Sequence, residues 1–131
     1  MKIILTTICL MISVLGFSQT QLDLNSEAIK DYNTSDKKLN QVYQQILREY
    51  KSDLVFIANF KKAQRLWVQF RDAEMNAKFP DREVGYYGSV QPMCWNHYLE
   101  ILTNERITKL KTWIIGIEEG DVCTGTVKVK N

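Results

Sequence analysis

Eight polar residues recur at helical intervals: Asn25, Asp36, Asn40, Gln64, Arg71, Asp72, Thr103 and Arg106. Asn25, Asp36, Asn40 and Tyr43 are separated by 11, 4 and 3, steps that return to nearly one side of a helix. Gln64 and Arg71 are seven apart, as are Arg65 and Asp72, and Thr103 and Arg106 are three apart. Carboxylates, amides and guanidiniums in that order suit ion pairs and hydrogen bonds, either between helices to fix their register or toward a bound ligand. They do not suit hydrolysis. His97 is the only histidine, which excludes a histidine-based metal cluster and leaves any triad with unsupported partners such as Ser89 and Asp72 or Asp81. There is no glycine-rich phosphate loop, and Glu118-Glu119 with Asp121 lacks the spacing of a calcium loop. The expectation is a protein with no catalytic residues, no metal and no cofactor.

Three helices must position these groups. From residue 24 to 50 the sequence 28, 32, 35, 39, 42, 46, 50 alternates steps of three and four through Ala28, Tyr32, Ser35, Leu39, Val42, Ile46 and Tyr50. That is one long helix, or two collinear pieces meeting at Asn33-Thr34-Ser35, where cap-forming residues cluster. Ser52-Asp53 can cap a second helix, whose expected buried face is Phe56, Ile57, Phe60, Ala63, Leu66, Trp67, Phe70, Ala73 and Ala77. It ends at Phe79-Pro80, and the short connection makes the two an antiparallel hairpin. That pairing predicts an Asp36–Arg71 ion pair and an Asn40–Gln64 hydrogen bond, with Arg65 and Asp72 turned to the third helix. The third helix starts near Pro92, with Leu99, Leu102, Leu110 and Trp113 in its stripe and Ile101, Ile107 and Ile114 beside it. The predicted class is all-α: a small three-helix antiparallel bundle with a long helical hairpin, a Gly/Tyr loop over 80–91 and a short extended C-terminal tail.

A chain of 131 residues is enough for one domain. Apolar residues make up 45% and charged residues 24%, as a packed, water-facing domain requires. The opening Met1-Lys2, the mostly apolar run from Ile3 to Phe17 and the exit Ser18-Gln19-Thr20 have the layout of a secretory signal peptide over 1–19. The apolar run is shorter than the roughly 20 residues of a membrane span. Cys9 sits in the middle of that run rather than at its exit, which disfavours a lipoprotein. Removing the leader takes Lys2 and leaves 16 basic against 15 acidic residues. That balance gives no reason to expect nucleic acid or a membrane surface as partner. The organisation is then a signal peptide at 1–19, a helical domain at 20–117 and a tail at 118–131, exported to the periplasm or beyond. Cys94 and Cys123 remain as a candidate disulfide; two free thiols are the alternative.

Five pieces of this pattern, taken in order, resemble the LprI-like lysozyme-inhibitor domain, an exported bacterial helical domain. They are Thr20-Gln21 with Leu24-Asn25; Asp36, Leu39-Asn40 and Tyr43; Ala63-Gln64-Arg65, Trp67 and Phe70-Arg71-Asp72; Gly88-Ser89 with Pro92-Met93; and Leu102-Thr103, Arg106 and Leu110. The resemblance covers about residues 20 to 115. It implies a helical fold and, by the family's name, inhibition of lysozyme. Where the family tends to carry cysteines this chain has Glu27, Met75 and Tyr98, so Cys94 with Cys123 would replace the usual staples.

The resemblance implies a lysozyme-type glycoside hydrolase as partner; another envelope protein is the alternative. Such an enzyme works with two carboxylates in a cleft, so an inhibitor needs a projecting loop with a basic or hydrogen-bonding tip. The loop that carries Arg82, Tyr86, Tyr87 and Ser89 is the candidate binding loop. The eight polar residues are expected to hold register.

Overall fold

The computed structural model describes the backbone of residues 2–130 and the side chains of residues 20–130. The expected signal peptide and Cys9 lie outside the residues whose side chains are described. Three helices follow one another: α1 (Lys2–Glu49), α2 (Leu54–Lys78) and α3 (Gln91–Ile115). Each stops where the sequence has a reason. Asp53 caps α2 by accepting a 2.9 Å hydrogen bond from the Phe56 amide. Pro80 cannot extend α2, and Pro92 suits the first turn of α3, where a missing amide costs nothing. Gly116 ends α3 at a φ of 84°, a region most side chains avoid. α1 passes through Asn33-Thr34-Ser35 without a break.

The chain runs up, down and up. Tyr43 and Phe60 stack at 5.3 Å, and Tyr50 meets Phe56 at 4.8 Å, so α1 and α2 are antiparallel. Asn25 donates to the Ser89 carbonyl at one end, and Tyr50 donates to the Trp113 carbonyl at the other, so α1 and α3 are parallel. α1 and α3 make the most intimate helix contact. Leu39, Val42, Ile46, Phe60, Ile107 and Leu110 form the buried cluster, with Ile46 and Leu110 fully enclosed. Ser35 and Thr103, one on each of the two closest helices, are buried too.

The face of α2 differs from expectation. Phe60 and Met75 are buried, and Phe56, Ile57 and Trp67 are partly so. Leu66 is 54% and Phe70 58% exposed, and Ala63, Ala73 and Ala77 are exposed as well. α2 has two apolar stripes, and periodicity alone does not say which one faces inward. The inward stripe contains Phe60, Gln64, Trp67, Arg71 and Met75, so it is the polar-decorated one. Met75, one of the residues standing in for an expected cysteine, fills the core instead. On α3, Ile101 is exposed while Leu99 and Ile107 are buried.

The tail is not an extended arm. It turns back on itself and closes with a single parallel bridge between Ile117 and Val129. Ile117 donates to the Lys128 carbonyl at 3.0 Å and Lys130 donates to the Ile117 carbonyl at 2.8 Å. Lys128 ties this closed loop to α1: its amide donates to the Tyr50 hydroxyl at 3.1 Å and its ammonium to Glu49 at 2.9 Å. Tyr50 therefore holds the ends of α1 and α3 and the tail together.

Cys94 and Cys123 are free thiols in the structure, with no bridge between them. Cys94 lies at the start of α3 and Cys123 beyond its far end, with 21 residues of helix, about 32 Å, between Cys94 and Ile115. The tail folds over the far end rather than running back.

Two outcomes follow from the tail. A Cβ on Gly116 would stand 2.7 Å from the Lys128 carbonyl oxygen, on a residue already at positive φ. Gly116→Ala should lower stability in a urea melt by about 1–3 kcal/mol; a change within the error of the melt would mean the tail does not close on α3. Hydrogen bonds from Gln45 and then Lys128 hold the Glu49 carboxyl below its ordinary value of 4.5. A depressed carboxylate contributes stability above its unfolded value and loses it as pH falls through the folded one. The acid arm of the stability profile should therefore flatten in Glu49→Gln, and an unchanged arm would contradict the pairing.

Candidate functional site

Two places on the bundle could contact another molecule: a groove between α1 and α2, and the loop that joins α2 to α3. The groove comes from the inward stripe of α2. Its indole, Trp67, lies under two cations, with the Arg71 guanidinium carbon 5.5 Å and the Arg106 guanidinium carbon 5.6 Å from the ring centroid. Arg71 reaches α1, where its Nη1 is 3.7 Å from Asp36 Oδ1. Its Nε and Nη2 both donate to Asp72 Oδ1, at 3.0 and 2.9 Å. Arg106 reaches across from α3, and its Nε donates to Gln64 Oε1 at 3.0 Å. Among the described residues it has no carboxylate at ion-pair distance. Burial lowers the Arg106 pKa from its ordinary value, and an arginine stays charged all the same. The Tyr32 phenol, beside the same cluster, is pushed up mainly by burial, against the pull of Arg71.

The three helices are thus clamped at mid-height by one indole, two guanidiniums, an amide and two carboxylates. Asp36, Gln64, Arg71, Asp72 and Arg106 come together. Asn40 is exposed and lines the groove, and the amide of Gln64 is engaged by Arg106 rather than by Asn40. Gln64 is engaged from α3 instead, by an Arg106 that lies over Trp67. Arg65 is exposed, and Asp72 pairs along its own helix with Arg71, so neither turns to α3. Thr103 is fully buried, and its hydroxyl has no hydrogen-bond partner among the described residues. Asn25 stands apart, accepting from Gln21 at 2.9 Å and donating to the Ser89 carbonyl at 3.1 Å. The open groove beside the clamp holds about 350 Å³ and is lined by Tyr43, Asn40, Lys61, Arg65 and Val68, among others. Its strongest cation, Arg71, is already paired on both sides.

The loop is built differently. Phe79 at the end of α2 packs on Trp95 of α3 at 5.6 Å and receives the edge of Tyr87 at 5.8 Å. The Tyr87 hydroxyl donates to the Pro80 carbonyl at 2.7 Å, closing residues 80–87 into a ring. Asn25 pins the Ser89 carbonyl from α1. On that pedestal Tyr86 is 60% exposed, Val84 is fully exposed, and the Arg82 guanidinium lies 5.8 Å over the Tyr86 ring. A recess of about 440 Å³ opens between this loop and Trp95, with Asn76 and Gln91 on its rim. Of the four loop candidates, Tyr87 and Ser89 anchor while Arg82 and Tyr86 project. Val84 belongs with the projecting pair, and its place in a glycine-flanked turn was the signal for it. His97 is on the surface near Glu100, and no cluster of metal-binding side chains exists among the described residues.

Residues 16–110 match the family described as Lysozyme inhibitor LprI. The chain belongs to this lysozyme-inhibitor family. The match takes in α1 from residue 16, the whole of α2, the loop between α2 and α3, and α3 as far as residue 110, and leaves the folded-back tail outside. An uncharacterized protein of Rhizobium meliloti (strain 1021) is 32% identical over 104 residues, covering 70% of this chain and 72% of the relative. No solved structure matches the chain. The LprI family name carries an inhibitor's role rather than an enzyme's, in keeping with a site that offers cations, amides and aromatic rings. Among the described residues no helix is long and apolar enough to cross a membrane.

The clamp can be tested for what holds it. Asp36 is 53% exposed, so Asp36→Asn should cost less than about 1 kcal/mol, as for other solvent-facing pairs. Thr103→Val removes a buried hydroxyl that bonds to nothing, and should leave stability unchanged or raise it by up to about 1 kcal/mol. A clear loss in a reversible denaturant melt would show that the Thr103 hydroxyl has a partner.

Proposed function

We propose that this chain is an exported inhibitor that binds a lysozyme-type muramidase through the loop between α2 and α3, with Arg82, Val84 and Tyr86 as the inserted tip. The observation that carries this reading is the division of labour in the loop. Tyr87, Phe79 and Trp95 hold it from beneath, while Arg82, Val84 and Tyr86 are exposed above, Tyr86 set edge-on to Tyr87 at 4.9 Å and Arg82 over the Tyr86 ring. A preordered loop loses little entropy on docking, and arginine and tyrosine are the side chains that anchor interfaces best. The cleft of a lysozyme holds two carboxylates about 5 Å or more apart, and a planar guanidinium braced on a tyrosine ring is suited to reach them.

Export is part of the same reading. The leader-like residues 1–19 and the family support it, and the target enzyme acts on the cell wall outside the cytoplasm. The clamp around Trp67 is assigned to architecture, because Arg71 is paired with Asp36 and Asp72 and Arg106 is bonded to Gln64 within the bundle. The alternative reading is binding to another envelope protein without effect on lysozyme, which would use the same displayed tip.

In a cell-wall lysis assay, the purified mature protein should slow lysozyme in proportion to its concentration. Arg82→Ala/Tyr86→Ala should lose at least about tenfold in potency, a cost of roughly 1.4 kcal/mol or more, while melting like the parent. Undiminished lysis at large molar excess contradicts inhibition of the enzyme used. Full inhibition by the double variant would remove the loop from the interface.

A further inference from the structure

The recess between the 80–88 loop and α3 has a lining that inhibition of an enzyme does not use. It holds about 440 Å³, within the size range of small-molecule pockets. Phe79, Tyr87 and Trp95 line it and are each only partly buried, so apolar ring surface is left open to it. The Tyr87 hydroxyl is taken by the Pro80 carbonyl, so this residue offers its ring alone. Gly85 and Gly88 also border the space, and a Cβ at either would meet nothing within 4 Å.

Around these rings stand planar polar groups of every kind. Asn76 and Gln91 carry amides, Asp81 and Glu83 carboxylates, and Arg82 a guanidinium. The side chains of Asn76, Asp81, Glu83 and Gln91 make no hydrogen bond or ion pair with any other described residue. The groove between α1 and α2 differs, because its Asp36, Gln64 and Arg71 are already engaged with one another or with neighbouring helices. Gln91 is partly buried in the first turn of α3, which holds its amide at the recess rather than out in solvent.

The mixture decides what fits. An anion would meet Asp81 and Glu83. A cation would meet rings that already carry cations, Lys78 over Phe79 at 6.0 Å and Arg82 over Tyr86 at 5.8 Å. A wholly apolar molecule would strip water from the unpaired polar side chains without replacing those hydrogen bonds. A neutral molecule with apolar faces and hydroxyls around its edge satisfies every group at once. Its C–H face lies on the rings, and its hydroxyls donate to carboxylate and amide oxygens and accept from amide and guanidinium N–H. A pyranose ring has that form. We propose that the recess is a binding site for a neutral saccharide, held on Trp95 and Phe79 and hydrogen-bonded by Asn76, Asp81, Glu83 and Gln91. The glycan that a lysozyme cuts is built of such rings, so the site gives the chain a hold on the enzyme's substrate as well as on the enzyme. It requires no contact with the enzyme and stands apart from the inhibitor reading, although Arg82 and Tyr86 border both the recess and the tip.

Titration of chitotriose and, separately, cellotriose into the isotope-labelled full mature chain, followed by amide and indole NMR signals, reads the site directly. At least one of the two sugars should bind saturably, with shifts confined to residues 76–95 and including the Trp95 indole. Asn76→Ala and Gln91→Ala lie outside the projecting tip and the aromatic pedestal. Each should raise the dissociation constant by about fivefold or more while melting like the parent. No saturable response to either sugar, shifts centred on the groove between α1 and α2, or binding unaffected by both variants overturns the proposal. A stronger response to tetramethylammonium than to either sugar makes the recess a cation cage and overturns it too. A chain that binds sugar in the recess but leaves lysozyme untouched supports the proposal and removes the inhibitor reading alone. A chain that inhibits lysozyme but binds neither sugar does the reverse.

Discussion

Everything in this bundle depends on the close parallel contact between α1 and α3. Parallel helices cannot be joined by a short turn, so α2 exists as the return stroke that makes the contact reachable. Leu39, Val42 and Ile46 on α1 and Ile107 and Leu110 on α3 supply the apolar interior. Ser35 and Thr103 are small enough to let the backbones approach. Because α1 and α3 already bury one another, α2 needs to cover only the remaining seam, and it does so with one narrow stripe. This is why a 25-residue helix with fourteen apolar positions buries only Phe60 and Met75.

Along that seam the three helices are joined at three heights by different means. Near the chain reversal, Phe56, Phe60, Tyr43, Tyr50 and Trp113 form an aromatic cluster, and Tyr50 extends it to the tail through its hydroxyl. At mid-height, Trp67 sits beneath Arg71 and Arg106, which reach Asp36 of α1 and Gln64 of α2 and so tie the three helices together. At the far end, Phe79, Tyr87 and Trp95 pack together and turn the connection into a rigid loop. Many of the residues that carry the family resemblance lie at the mid-height clamp, and under the proposed function the far-end loop makes the contact with the target.

That separation decides how much the sequence could reveal. Helix positions were legible because caps and breakers are local: Asp53 caps α2, Pro92 opens α3 and Gly116 closes it. The nearness of Asp36 to Arg71 was legible because a short turn sets hairpin pairing to within a residue or two. Which stripe of α2 faces inward was not, since Leu66 and Phe70 are as apolar as Phe60 and Trp67. Only the charged and amide residues on the inward stripe, bonded to other helices, distinguish it. The engagement of Gln64 by Arg106 was hidden for the same reason, because it depends on where α3 lies rather than on the hairpin. The cysteines left a bridge and two free thiols both open; the structure has two free thiols, Cys94 near the start of α3 and Cys123 beyond its end. In the loop, composition marked the tyrosines but not their division of labour: Tyr87 turns down to the Pro80 carbonyl and its neighbour Tyr86 does not.

The central claim is that the loop between α2 and α3 meets the target while the Trp67 clamp stays internal. Hydrogen–deuterium exchange of the full mature chain, with and without lysozyme, tests it most directly. The account predicts slowed exchange in residues 81–90 on adding the enzyme and unchanged exchange along α2 from residue 61 to 72. Protection confined to the α1–α2 groove, with the loop unaffected, would contradict it.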